Sequence, residues 1–204
     1  MTATIDRPEA PDVGSGFPTI ASRVRGWAAS NPNGIAMREK DFGIWQEHTW
    51  ERTWDDVVTA AHGLLALGVR VGDVVSIHSE DRPEWVTLDL AAVAIRAITT
   101  GLYPTNPMAE VAYLLNDSGA KVHFAEDQEQ VDKVVEAGPD AFPNVTSILY
   151  VEPRGLTTYE DPRLMFWDDF VELGRRHRAE HPGAVERHMA EATADDIITL
   201  VYTS

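Results

Sequence analysis

Between Val74 and Gly138 a short β-branched run is followed three times by a stretch with helical spacing, and this alternation constrains the fold more than any other feature. Val74 to Ile77 is the first run, and Arg82-Pro83 starts a helix over Pro83 to Ile95, because proline suits a first helical position whose N–H has no partner. Ile98 to Leu102 repeats the strand pattern. Met108, Val111, Ala112 and Leu115 follow at i, i+3, i+4 and i+7, a single buried stripe closed by Asn116 to Gly119. Val122 to Ala125 is the third run, and Val131, Val134 and Val135 form the inward face of a helix that ends at Gly138-Pro139. Ser147 to Val151 is a further strand. A crossover helix is the usual way to return a chain to the same sheet edge, so the fold class is α/β with a parallel sheet.

Ahead of these units, residues 1–18 carry Pro8, Pro11, Gly14, Gly16 and Pro18 with little apolar periodicity and read as a mobile leader, with the folded part over 19–204. Ile20, Val24 and Trp27 recur at helical spacing until Asn31-Pro32-Asn33-Gly34 turns the chain. Ile35 to Lys40 and Ile44 to Trp50 form an early β-hairpin joined by the three residues Asp41-Phe42-Gly43. Thr53 with Asp56 resembles a capping box, after which Trp54, Val57, Ala61, Leu64 and Leu65 share one helical face that ends at Gly68. From Glu152 to Asp195 prolines and glycines separate short helical pieces such as Phe166 to Leu173, and an irregular excursion is expected. Ile197 to Tyr202 then has the apolar profile of a central strand covered on both faces.

Charge and cysteine content narrow the functional classes. Acidic residues outnumber basic ones by 33 to 17, a formal charge of -16 that repels phosphate backbones and anionic lipid, so nucleic acid is not an expected partner. The absence of cysteine excludes disulfides, thiolate metal sites and a cysteine nucleophile. Met1 to Ala10 has no apolar stretch of the kind a secretion signal needs, and Leu88 to Ile98 is broken by Asp89 and Arg96, so no transmembrane segment is expected. The reading is a cytoplasmic protein, with peripheral membrane contact left open.

Several residue groups invite a chemical reading and have a plainer one. His177, Glu180, His181 and His188 place two imidazoles at i, i+4, yet Arg175, Arg176 and Arg178 crowd them, and a solvated face fits better than a metal site. His78 ends a strand and reads as a satisfied structural histidine. Tyr103 to Pro107 could line a pocket, but a proline-rich strand exit is first of all a rigid turn. Trp27, Trp54 and Trp85 fall on inward helix faces and read as core. Asp55-Asp56 and Asp168-Asp169 are adjacent pairs that diverge on a helix and read as helix-start charges. Gly14-Ser15-Gly16 lacks the preceding strand of a dinucleotide loop, and no Walker A sequence occurs.

The sequence from Asp195 to Ser204, Asp-Asp-Ile-Ile-Thr-Leu-Val-Tyr-Thr-Ser, resembles the lead-in to the phosphate-binding loop of adenylate-forming (AMP-binding) enzymes. In that family Tyr-Thr-Ser is followed by Gly-Thr-Thr-Gly, a variable residue and Pro-Lys-Gly. Gly101 to Pro107, Val111 to Val122, Arg82-Pro83-Glu84-Trp85 and Glu126 to Gln130 resemble the long-chain fatty-acid–CoA ligase branch, and the resemblance extends from about residue 20 to the end. It implies an acid–thiol ligase that makes an acyl adenylate from a small-molecule carboxylate and ATP with Mg2+, then a thioester with CoA. It also implies that the Thr203 and Ser204 hydroxyls bind phosphate. The family's glycines, loop lysine, acidic metal ligand and C-terminal lid lie beyond Ser204. No residue present is therefore assigned a catalytic or metal-ligating role, and the chain is expected to be an N-terminal fragment without ligase activity of its own. An adenylation domain that feeds a carrier protein and a non-catalytic interaction module are the competing readings.

Overall fold

The structure, a computed structural model, describes residues 19–203, so the expected leader and Ser204 lie outside the described residues. Helix α1 (Ile20–Ser30) precedes an antiparallel hairpin of β1 (Ile35–Asp41) and β2 (Ile44–Thr49). Then follow α2 (Trp50–Ala66), β3 (Val74–His78), α3 (Pro83–Ala94), β4 (Ile98–Leu102), α4 (Met108–Ser118), β5 (Val122–Ala125), α5 (Gln128–Val135) and β6 (Ser147–Tyr150). The described part ends with β7 (Leu164–Phe166), α6 (Trp167–Glu180), α7 (Ala184–Glu191) and β8 (Thr199–Leu200). Strands β3 to β8 make one parallel six-stranded sheet in the order β7-β6-β5-β3-β4-β8.

Helices α1, α2, α3, α6 and α7 cover one face of the sheet, while α4 and α5 cover the other. Both faces of the inner strands are thereby removed from water. Every residue of β3 and β5 is buried, as expected for parallel strands whose apolar runs do not alternate. Helix α4 stops at Gly119, whose φ of 67° supplies the left-handed cap. Its buried stripe is Val111, Leu114 and Leu115, whereas Met108 faces solvent, so the expected stripe is rotated by one position.

Other local expectations are also corrected. The hairpin turn contains two residues, not three: Asp41 pairs with Ile44, and Phe42 and Gly43 both take positive φ, 45° and 84°. The cap of α2 is Thr49, whose hydroxyl accepts from the Arg52 amide at 3.3 Å, whereas Thr53 is buried inside the first turns. Asp55 and Asp56 consequently sit one turn into α2, and only Asp168 and Asp169 are true helix-start charges. Trp27, Trp54 and Trp85 are half-buried against the main core, in agreement with their packing role.

The largest departure is the stretch after Glu152, which is ordered into β7, α6 and α7. Helix α6 lies so close to α2 that a Cβ on Gly174 would meet the Thr59 carbonyl oxygen at 2.2 Å, and one on Gly63 would meet the Phe170 ring at 2.5 Å. Next to this contact the Nδ1 atoms of His62 and His177 are 2.9 Å apart, and Arg178 donates to Asp55 at 2.7 Å. Burial, then the neighbouring His177 and Arg178, lower the His62 pKa to about 4. The strand expected at Ile197 to Tyr202 contains two ladder residues and lies at a sheet edge, with Ile197, Ile198 and Val201 exposed. Leu200 and Tyr202 pack toward α4 on one side, while Ile197, Ile198 and Val201 stay exposed, so the strand is not covered on both faces.

Two outcomes are expected. Gly174→Ala forces α6 away from a backbone atom that cannot rotate aside, which costs about 1–3 kcal/mol, read from urea unfolding; an unchanged midpoint contradicts the contact. His62 has a folded pKa below its unfolded value, so its neutral form stabilises fully above the unfolded value of 6.5, and this contribution is lost as pH falls through about 4. Replacing it with Asn removes on the order of 1–3 kcal/mol from the acid-side slope, and an identical pH profile for the two proteins defeats the assignment.

Candidate functional site

Parallel sheets present ligands at the carboxyl ends of their strands, where loops leave for the covering helices. Two hollows open there. One lies between the exits of β3 and β5, where the strand order reverses, but ion pairs draw its walls together: Arg82 reaches Glu84 at 2.7 Å and Glu126 at 3.3 Å, and the Glu80 amide donates to Glu126 at 2.8 Å. The other is a cavity of about 430 Å3 between β3, β4 and β8. Its walls are Ser79, Glu80 and Asp81 after β3, Trp85 from α3, Gly101 to Pro104 from β4, and Thr199 to Tyr202.

The β4 wall is held from below. His78 at the end of β3 donates through Nε2 to the Tyr103 carbonyl at 3.1 Å, and the Lys133 ammonium donates to the Pro104 carbonyl at 2.8 Å. Burial, with Lys133 nearby, lowers the His78 pKa to about 4, so its ring is neutral near pH 7 and one nitrogen carries the proton. That proton faces Tyr103, which leaves the buried Nδ1 without a partner. His78 is thus only half satisfied, a correction to its plain structural reading. Beside it, His123 accepts or donates at Ser76 Oγ (2.9 Å) while its Nε2 has no partner, and complete burial lowers its pKa well below the usual value.

The opposite wall is β8. Thr99 donates its amide to the Ile198 carbonyl at 2.9 Å and Thr100 its hydroxyl to the Leu200 carbonyl at 3.1 Å. Tyr202 donates to Asp117 at 2.8 Å, with its ring edge against Tyr113. Burial and the Asp117 carboxylate push its pKa up to about 12, so it remains a donor across the neutral range. Thr203, one residue beyond this wall, is exposed, and Ser204 lies outside the described residues. The structure thus places Tyr103 and Pro104, assigned from the sequence to a turn, in the cavity wall, while Thr105 to Pro107 are not part of it. No pattern in the sequence pointed to the support from Lys133, because the pairing joins a helix on one face to a loop 29 positions away.

Charged groups in this wall are Glu80 and Asp81, with no lysine or arginine. Among the described residues no group of three or more His, Asp or Glu side chains could hold a metal ion, so they do not fit a resident Mg2+. His177 and His181 have ring centroids 4.4 Å apart at a tilt of 43° without forming such a group, and His177 is turned to His62, not wholly to solvent. No helix is long and apolar enough to cross a membrane among the described residues.

Comparison with known proteins places this geometry in a family. Residues 24–204 match the AMP-binding enzyme family. The chain is similar to the long-chain-fatty-acid–CoA ligase FadD15 of Mycobacterium bovis, 30% identical over 185 residues that make up 91% of this chain and 29% of the relative. It is also similar to the long-chain-fatty-acid–CoA ligase ACSBG2 of Rattus norvegicus, 27% identical over 83% of this chain and 25% of the relative. It therefore spans under a third of the length of these relatives. The acetoacetyl-CoA synthetase of Streptomyces lividans shares the fold with a TM-score of 0.65 at 22% identity, covering 74% of this chain and 24% of that one. The anthranilate CoA ligase AuaEII does so with a TM-score of 0.60 at 23% identity, over 75% and 26%. With nearly the whole sequence matched and the parallel sheet with its early hairpin in place, the chain belongs to the AMP-binding, adenylate-forming enzyme family.

Proposed function

We propose that this chain supplies the first part of the adenylation domain of a long-chain fatty-acid–CoA ligase. The similarity to FadD15 and ACSBG2 supports the fatty-acid branch, and one structural observation carries the nucleotide reading. Strand β8 forms one wall of a cavity of about 430 Å3, within the range of ligand pockets, and Thr203 directly continues that wall.

The reaction has two displacements. A carboxylate oxygen attacks the α-phosphorus of ATP and pyrophosphate leaves; the CoA sulfur then attacks the acyl carbonyl and AMP leaves. Two anions must meet in the first step, so the site has to supply donors and exclude water. The hydroxyls of Thr203 and Ser204 donate to phosphate oxygens, and the segment Tyr103-Pro104, held by His78 and Lys133, forms a firm opposite wall. Because Glu80 and Asp81 are acidic and no cation lines this wall, the triphosphate enters as its magnesium complex. The glycines and lysine that follow Tyr-Thr-Ser in the family are not among these 204 residues, so binding here is weak and turnover absent.

Titrating the chain with MgATP should shift the amide resonances of Leu102, Tyr103 and Val201 to Thr203 while the Arg82–Glu126 hollow stays silent. No pyrophosphate exchange should accompany it. Shifts confined to the other hollow, or exchange at the rate of a complete ligase, would refute the assignment. If residues 20–204 replace the corresponding segment of FadD15, the chimera should activate palmitate, and Thr203→Val in it should lower kcat/KM for ATP by about tenfold or more. Unchanged ATP kinetics in that variant remove Thr203 from the site.

A further inference from the structure

Strand β8 poses a register problem. Its ladder with β4 has two pairs, Thr99 with Thr199 and Thr100 with Leu200. Around them Ile197, Ile198, Leu200, Val201 and Tyr202 are apolar at both odd and even positions, so no alternation tells one face of the strand from the other. A slip of two residues would put an apolar pair at the two ladder positions, Ile197 and Ile198 or Val201 and Tyr202, and move Thr203 along the sheet by about 7 Å. Something other than hydrophobic pattern has to select the register.

The polar contacts at the two ends of the strand do so. Before it, Arg96 forms a bidentate pair with Asp196, Nε to Oδ2 at 2.8 Å and Nη2 to Oδ1 at 3.3 Å, and reaches Glu191 at 3.5 Å. After it, Tyr202 is tied to Asp117. Arg96 holds this position against a backbone cost: it follows the C-cap of α3 with φ of 63°, the left-handed conformation that glycine normally takes at a helix end. That conformation is strained for a side chain other than glycine. Glycine would end the helix with less strain, but it has no guanidinium. The same residue is fixed at its backbone as well, because its carbonyl accepts from Gly72 at 2.9 Å and its amide donates to Val93 at 3.0 Å. The guanidinium is therefore presented from a fixed point beside β4, the strand against which β8 must be aligned.

We propose that Arg96 is a positioning residue: by clamping Asp196 it sets the register of β8 on β4 and so decides where Thr203 stands at the cavity rim. The consequence for nucleotide rests on the adenylate-forming reading, whereas the register itself does not.

Arg96→Gly in the 204-residue chain tests this, because glycine accepts the positive φ and only the guanidinium is lost. The Thr99 amide, bonded to Ile198, should exchange about tenfold faster or more, while Val75 to Ile77 keep their protection. The nuclear Overhauser contact between the Tyr113 and Tyr202 rings should disappear. The reversed pair, Arg96→Asp with Asp196→Arg, should restore both. Asp196→Asn is a nearly isosteric second variant that should give the Arg96→Gly pattern if the glycine protein does not fold. Persistence of the ring contact and of Thr99 protection in the single variants overturns the proposal. So does uniform acceleration that includes Ile77, which marks a general loss of stability. Neither readout uses nucleotide, so a failed MgATP titration and a failed register test are told apart.

Discussion

Strand β3 is hydrogen-bonded on both edges, to β4 and to β5, and has no exposed side chain, so the chain has to cover two faces of one sheet before any loop can be placed. Backbone N–H and C=O groups taken out of water must find partners, and the parallel ladder provides them along the whole strand. Its apolar side chains then demand helices on both sides, which the α2–α3–α6 layer and the α4–α5 layer supply. The loops that leave β3 and β4 are consequently brought side by side at the carboxyl end of the sheet. Position there is a result of burial farther down, and His78 shows the link directly: it belongs to the buried strand and holds the carbonyl of a wall residue.

Elements whose information is local were legible in the sequence. Gly68 and Gly119 end helices because positive φ is required there, and Pro83 begins α3 because its nitrogen needs no partner; each reason lies within a few residues. The four-residue error over the α2 cap has the opposite origin. Thr49 and Thr53 are chemically equivalent caps in one dimension, and Thr49 is selected because the Trp50 amide is already bonded to Gly34 at the base of the hairpin. Likewise the second half of α6 is polar and carries Gly174, a poor helix former, yet it is helical because the missing side chain lets two backbones meet. A pattern search sees the composition of Gly174 to Arg178 and cannot see Thr59.

For the candidate site the division is similar. The resemblance around Asp195 to Ser204 pointed to the carboxyl end of the sheet, where the cavity opens, since a residue that follows a parallel strand stands at that edge. What it did not contain was the opposite wall. Tyr103 and Pro104 have no chemistry that distinguishes a turn from a pocket lining; the distinction is made by Tyr202 and Leu200 arriving across from them, about 100 positions later in the chain. The neutrality of His78 is also non-local, because it follows from burial between strands that are assembled by β5.

The charge distribution gives the site its character. A chain with a formal charge of -16 is a poor host for a triphosphate if attraction is summed over the whole molecule. Long-range attraction is screened within about 8 Å at physiological ionic strength, however, and within that radius a few well-aimed donors outweigh distant carboxylates. In this fold many cationic groups are already engaged: Arg82 with two glutamates, Arg96 with Asp196, Arg163 with Asp161, Lys121 with Asp73 and Lys133 with a carbonyl. Arg82 and Lys133 are the two at the carboxyl edge and are engaged there, while Arg96, Lys121 and Arg163 stand at the amino ends of β4, β5 and β7 and hold the strand entries in place. On the proposed function, specificity for a phosphate group in such a surrounding has to come from hydroxyl and amide donors held at fixed positions, and donors of that kind are only as accurate as the strand that carries them. The proposed function thus gives the alignment of β8, two ladder pairs long, a weight out of proportion to its size.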